Sequence, residues 1–370
     1  MPQIVPLDEA SDWQPLLERA QHAVSEGKLV MVPDESGFAI IASSLSETGG
    51  RSLRNLVEGF PNGRQVLGIA HPFVLQDYSD FHSQVMDRLV NRCWPGPVAF
   101  RVPEPKQGSL LSRWPSTCQT WAQTTEGRSF YCPSGEFLSS LLSRIEAPAL
   151  LFLTNSPIES LAKAIQDDIE FVVAAPPRFP ELPTMVRFFD VEYEVEEEGV
   201  VSKNLMSRLS GEVFLFVCTG NTCRSPMAEG LFRKMLADRL DCGEEDLIDR
   251  GYAVLSAGLA ASRGSGASPE AVELLRRDGI DISGHLSQPL TEELILHADR
   301  IFTMTRQHRQ AILASFPELT DRVRTLSSRN SDISDPIGGG MEMYQDCRDE
   351  IAGFLNELID QIPPRENRPD

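Results

Sequence analysis

The chain has 370 residues, 54 acidic against 34 basic side chains, a net charge of −20 and 41% apolar residues. That length and composition suit two soluble globular domains, and no apolar run is long enough to span a bilayer. The start carries no n-region/h-region pattern, and the seven cysteines are irregularly spaced, so the expectation is a cytoplasmic, reducing location without a disulfide frame. No Cys-x-x-Cys pair or His cluster marks a metal site, and neither metal nor cofactor is expected. Residues 1–210 and 211–370 each hold 27 acidic and 17 basic side chains, so neither half offers the basic face that broad nucleic-acid binding needs.

The N-terminal half reads as α/β in chain order. An amphipathic helix over Trp13–Ser25 leads to the apolar strand Leu29–Val32, and a helix near His82–Cys93 precedes Trp94-Pro95-Gly96-Pro97 and the strand Val98–Val102. The Pro/Ser/Gly-rich stretch 103–118 predicts a long loop, and the helix Glu136–Ile145 runs into the apolar segment Ala149–Leu153. Trp94 reads as a packing anchor. These pieces resemble the YrdC-like threonylcarbamoyl-AMP synthase family over residues 10 to 208. The segment Val32-Pro33-Asp34-Glu35-Ser36-Gly37-Phe38 stands where that family has Pro-Thr-Glu-Thr-x-Tyr-Gly, and Trp94-Pro95-Gly96-Pro97 matches its turn. Thr154-Asn155-Ser156 and Thr184-Met185-Val186 stand for its Ser-Ala-Asn and Ser-Thr-Val. The family's phosphate-handling Lys-x-Arg is missing, since Val57 to Gln65 offers only Arg64. The expectation is a mixed-sheet domain, 1–208, kept as a non-catalytic binding or regulatory module; the alternative is a bifunctional chain that still makes threonylcarbamoyl-AMP for tRNA modification. Nucleic acid stays open as a partner for this half alone.

The acidic run Glu194–Glu198, then Gly199 and Ser210-Gly211, marks a boundary near 199–211. Beyond it the apolar run Val213-Phe214-Leu215-Phe216 predicts a strand, and the amphipathic segment Met227–Leu240 a helix. Between them lies Val217-Cys218-Thr219-Gly220-Asn221-Thr222-Cys223-Arg224-Ser225-Pro226. A strand–loop–helix of this kind turns successive backbone N–H groups into one concavity, and the helix N-terminus adds favourable potential for an anion. Helix N-termini and nearby cations favour the thiolate form of a cysteine, while a guanidinium fork such as that of Arg224 suits two phosphate oxygens. Asn221 tolerates a left-handed backbone, and Pro226 fits the first helical position. No other cysteine has an arginine six residues on. The motif reads as a phosphate-cradling loop with a nucleophile at its base.

Residues 211–365 resemble the low-molecular-weight protein phosphatases of the Cys-dependent class, whose signature is C-x5-R-S/T. Ser256-Ala257-Gly258, the segment Ala298 to Met304 and Ser334-Asp335-Pro336 match further family motifs in order. The resemblance implies a doubly wound, mostly parallel sheet, a phosphorylated protein as substrate and no membrane partner. Cys218 would attack phosphorus, the amides of Thr219, Gly220, Asn221, Thr222, Cys223 and Arg224 with the Arg224 fork would hold the phosphoryl oxygens, and Ser225 would support the sulfur. Asp335 would act as general acid, then base. Cys223 would form a reversible disulfide with Cys218. Thr222 and the surrounding pattern lean to phosphoarginine, with phosphotyrosine as the alternative, and Ile337 stands where the family has an aromatic wall. His285, His297 and His308 have no second histidine at ligand spacing, so solvated or capping roles are expected; Asp299 reads as a support of the site region or a plain structural residue. Intact Cys218, Arg224, Ser225 and Asp335 argue against a purely binding protein.

Overall fold

The computed structural model describes residues 3–7, 12–60, 62–105, 110–157 and 169–362, and the chain forms two compact units, Met1–Leu209 and Ser210–Asp370. No helix among the described residues is long and apolar enough to cross a membrane.

The first unit is built on one mixed sheet. Its strands are β1 (Gln3–Pro6), β2 (Leu29–Asp34), β3 (Gly37–Ala42), β4 (Arg64–Gly68), β5 (Val98–Val102), β6 (Gln123–Thr124), β7 (Gly127–Tyr131), β8 (Ala149–Thr154), β9 (Ile169–Ala174), β10 (Thr184–Phe189) and β11 (Glu192–Glu197). They lie in the order β1-β9-β2-β3-β8-β4-β7-β5-β10-β11, with β6 on β7. Strand alternation divides the apolar residues between two faces: Leu29 and Met31 join one buried cluster, Val30 and Val32 the other. Trp94 is buried, gives its indole N–H to the Val98 carbonyl at 2.6 Å and packs on Phe100, so it is the expected anchor.

Two expectations are corrected here. The acidic run is no plain boundary, because Glu192–Glu197 is a strand paired antiparallel with β10. Its period of two was masked by the count of acids: Tyr193 and Val195 pack on the core, while Glu194 and Glu196 bond Arg187 and Arg101. Within the stretch 103–118, Leu110–Arg113 forms a 3-10 turn and Ser116–Gln119 a helical turn, anchored by buried Leu111, Trp114 and Cys118; residues 106–109 lie outside the described residues.

The second unit has four parallel strands, β12 (Glu212–Cys218), β13 (Tyr252–Gly258), β14 (Arg300–Thr303) and β15 (Val323–Thr325), in the order β13-β12-β14-β15. Along β12, Phe214 and Phe216 enter the cluster shared with helices Arg224–Leu240, Pro269–Arg277 and Met341–Ile359. Leu215 and Val217 enter the opposite cluster with Ile295 and Ile312. Both faces are therefore covered, as a parallel sheet requires. β12 is the first strand of the unit yet lies between the second and third, which puts the topological switch at its carboxyl end. Cys218 stands at that end.

Candidate active site

The loop after β12 curls because Asn221 sits at φ +54°, in the left-handed region that a short polar side chain tolerates. Helix Arg224–Leu240 follows, with Pro226 at its third position rather than its first. The helix begins earlier because Met227 already donates to the Cys223 carbonyl, and Pro226 needs no partner within that first turn. The curl leaves the backbone N–H groups of Gly220, Thr222, Cys223, Arg224 and Ser225 without a hydrogen-bond partner among the described residues. The Asn221 N–H points at Cys218 Sγ at 3.2 Å, and Ser225 Oγ lies 3.0 Å from the same sulfur.

One buried side chain ties this loop to the sheet. Asn221 Nδ2 donates to Ser225 Oγ (3.0 Å) and to Ser256 Oγ (2.8 Å), and Asn221 Oδ1 accepts from the Gln288 N–H at 2.9 Å. Ser256 in turn donates to Glu229 at 2.6 Å. Gly258 explains the last letter of its motif: a Cβ there would stand 2.6 Å from the Thr219 carbonyl oxygen and 2.9 Å from the Asn221 nitrogen. The Ser-Ala-Gly motif, expected as a turn, is the carboxyl end of β13 and forms the backing plate of the loop.

Arg224 and Asp335, 111 residues apart, meet at 2.5 Å. The guanidinium is buried and also donates to the Ile333 carbonyl at 3.2 Å, whereas the Asp335 side chain is 42% exposed and accepts from the Ile337 N–H. Thr222 is half-buried, with its hydroxyl 3.6 Å from Cys223 Sγ. Cys223 Sγ faces Tyr344 Oη at 3.3 Å, and both loop thiols are free. Burial, with the Cys223 contact, pushes the Tyr344 phenol up to about 12, and burial pushes the Cys347 thiol up to about 12. Those two groups stay protonated at neutral pH.

Two of the three histidines depart from expectation. His285 Nε2 lies 2.9 Å from the Asn221 carbonyl oxygen, and His308 Nε2 lies 2.9 Å from Thr219 Oγ1. Neither is freely solvated: His308 is buried and His285 mostly covered, each with a ring nitrogen on the loop. Burial, then the Arg224 charge, holds His308 below the usual histidine range, so its ring is neutral at neutral pH. His297 is exposed and bonds the carbonyl of Glu293 within its own helix. Asp299 accepts from the Val213 N–H at 2.7 Å, at the opposite end of β12 from Cys218. Sequence reasoning missed His285, His308 and Gln288 as loop contacts, and Glu229 as the partner of Ser256 behind them. Their only local signal is a position near a helix start or turn, which many surface residues share.

A thiol inside a nest of free amides is the arrangement around which cysteine-dependent protein phosphatases are built. Residues 213–367 match the family described as low molecular weight phosphotyrosine protein phosphatase. The region is 44% identical over 152 residues to the protein-arginine-phosphatase of Bacillus subtilis (strain 168), covering 40% of this chain and 95% of that relative. It is 36% identical over 152 residues to the probable low molecular weight protein-tyrosine-phosphatase EpsP of Ralstonia nicotianae, covering 41% of this chain and 96% of that relative. A solved structure of a YwlE mutant from Bacillus subtilis is 41% identical and covers 41% of this chain and 98% of its own, at a TM-score of 0.36. Through its second unit, the chain belongs to the low molecular weight phosphotyrosine protein phosphatase family.

Proposed function

We propose that the second unit removes phosphate from phosphoarginine side chains of proteins through a phosphocysteine intermediate. The observation that carries this reading is the five partnerless amides of the loop that runs from Cys218 to Ser225. Those donors, with the Arg224 fork, suit the three non-bridging oxygens of a phosphoryl group and the charge that grows on them in the transition state. The Cys218 thiolate attacks phosphorus and forms the S–P bond as the N–P bond breaks; Asp335 delivers a proton to the departing guanidino nitrogen. Water then attacks phosphorus, the S–P bond breaks, and Asp335 recovers the proton. The Arg224–Asp335 ion pair suits a resting state, because an incoming phosphoryl group takes over the guanidinium donors and frees the carboxyl for its proton.

Substrate choice rests on two supports. Thr222 brings a β-branched hydroxyl side chain into the loop. Ile337, 68% exposed, forfeits ring stacking with phosphotyrosine, about 0.5–1.5 kcal/mol, and equally any cation–π contact with a guanidinium, so it favours neither substrate. The 44% identical relative carries the name of an arginine phosphatase. Phosphate release from a phosphoarginine peptide and a phosphotyrosine peptide, with Cys218→Ser as the blank, tests the reading. Preference for phosphoarginine supports it. Preference for phosphotyrosine moves the chain to the alternative substrate, and no release above the blank ends the enzymatic reading of this site. Peroxide treatment followed by mass spectrometry tests the Cys218–Cys223 bridge, which a Cys218 sulfinate without a bridge would contradict.

We further propose that the first unit is a YrdC-like binding or regulatory module without synthase activity. Its candidate ligand groups are engaged in part by the chain itself, although Arg64 Nε and Nη1 are buried without a partner among the described residues. Arg64 pairs with Glu197, Arg101 with Glu196 and Arg128 with Glu104, and the Thr184 hydroxyl accepts from the Gly199 and Val201 N–H groups. Pyrophosphate release from ATP that depends on threonine and bicarbonate would overturn this and restore the bifunctional alternative.

A further inference from the structure

The first side chain after Cys218 is Thr219, exposed at the edge of the loop, and its hydroxyl lies 2.9 Å from His308 Nε2. The imidazole is only 6% exposed, in the first turn of helix Arg306–Ser315, and its Nδ1 has no partner among the described residues. Its one side-chain hydrogen bond therefore runs to a hydroxyl beside the nucleophile. The charged groups acting on the ring are Arg224, Asp335 and Asp332. The first two are the ion pair beside Cys218, which puts the Thr219–His308 pair on the Asp335 side of the loop.

We propose that this pair determines specificity for the substrate's leaving group, an inference that rests on the phosphoarginine reading above. The hydroxyl bonds the ring at Nε2, and its oxygen keeps at least one lone pair that the ring does not use. A guanidino group carries N–H donors and no acceptor, so an oriented acceptor beside phosphorus holds it. An aryl leaving group offers no donor and gains nothing from the contact. The aliphatic Ile337 supplies no ring for a cation–π contact, so recognition here depends on acceptors such as Thr219 and Asp335. His308 is a positioning residue in this scheme: it turns the hydroxyl without touching substrate.

The test is the ratio of kcat/KM for a phosphoarginine peptide to kcat/KM for p-nitrophenyl phosphate. Thr219→Val keeps the branched shape and removes the hydroxyl; the ratio should fall about tenfold, the worth of one hydrogen bond, and Thr219→Ser should restore it. His308→Phe keeps the buried ring and removes the nitrogen that holds the hydroxyl, and should lower the ratio in the same direction. Losses in proportion on both substrates, with an unchanged ratio, would assign the pair a structural role and overturn the proposal. A wild-type enzyme that cleaves p-nitrophenyl phosphate but not the phosphoarginine peptide would defeat the substrate reading itself, and this inference with it.

Discussion

The two units place polar residues at the ends of their strands in opposite ways. In the first, most of them bond each other: Asp34 accepts from Tyr131 Oη at 3.0 Å, Glu35 from the Ser134 N–H, and the Glu35 carbonyl from the N–H groups of Arg178 and Phe179. Arg64 on β4 reaches Glu197 on β11, four places along the sheet order, so the sheet curls and closes its charges on its own acids. In the second, the loop after β12 keeps five amides free and converges on one sulfur. The two halves carry equal charge, so composition does not separate them. What separates them is placement: the unused donors of the first unit, such as Arg64 Nε and Nη1, are on separate buried side chains, whereas those of the second follow one another along a single loop.

The sharpest break of that comparison is Cys218→Ser, for which phosphate release should fall by at least about 10⁴-fold; turnover near the wild-type rate would leave the open loop with no chemical role. On the proposed mechanism, Asp335→Asn should lower kcat by about 10³-fold, since the carboxyl would serve both half-reactions. Pre-steady-state kinetics would show the loss in both steps.

For the closed unit the handle is Asp34, which burial and the neighbouring Glu35 charge push up to about 6 from 3.8. A folded state with a raised carboxyl keeps that stability below pH 3.8 and loses it as pH rises through about 6. The loss should be on the order of 3 kcal/mol. Urea unfolding of wild type and Asp34→Asn between pH 4 and 7 reads the difference; parallel curves would mean that Asp34 is not closed in. The smallest effect is expected at Gly258→Ala, whose Cβ crowds the Thr219 carbonyl. It should reduce kcat/KM about tenfold by displacing the loop and lower the melting temperature as the loop backbone shifts, and an unchanged kcat/KM would show that the loop tolerates a looser backing.

Much of the site was legible before the fold. The apolar run Val213–Phe216, the loop with Gly220 and Asn221, and the helix after it appear as strand, left-handed curl and helix. Local conformation is written in neighbouring residues, so such stretches read well. The acidic strand Glu192–Glu197 was hidden, because its glutamates answer arginines on β5 and β10 rather than solvent. His285 and His308 were hidden for the same reason, since each serves a loop residue at least 64 positions away.

By itself, the sequence determined a cysteine and an arginine held six residues apart on one curled loop, because chain geometry over so short a span leaves few alternatives. Only the tertiary structure decided which distant groups complete that loop. Parallel pairing of β12 with β13 and β14 brings Ser256 and Gly258 beneath it, and the return of the chain to residues 333–335 brings Asp335 to Arg224. Those contacts depend on how both faces of the sheet are covered, a property of the packed whole that no local stretch encodes.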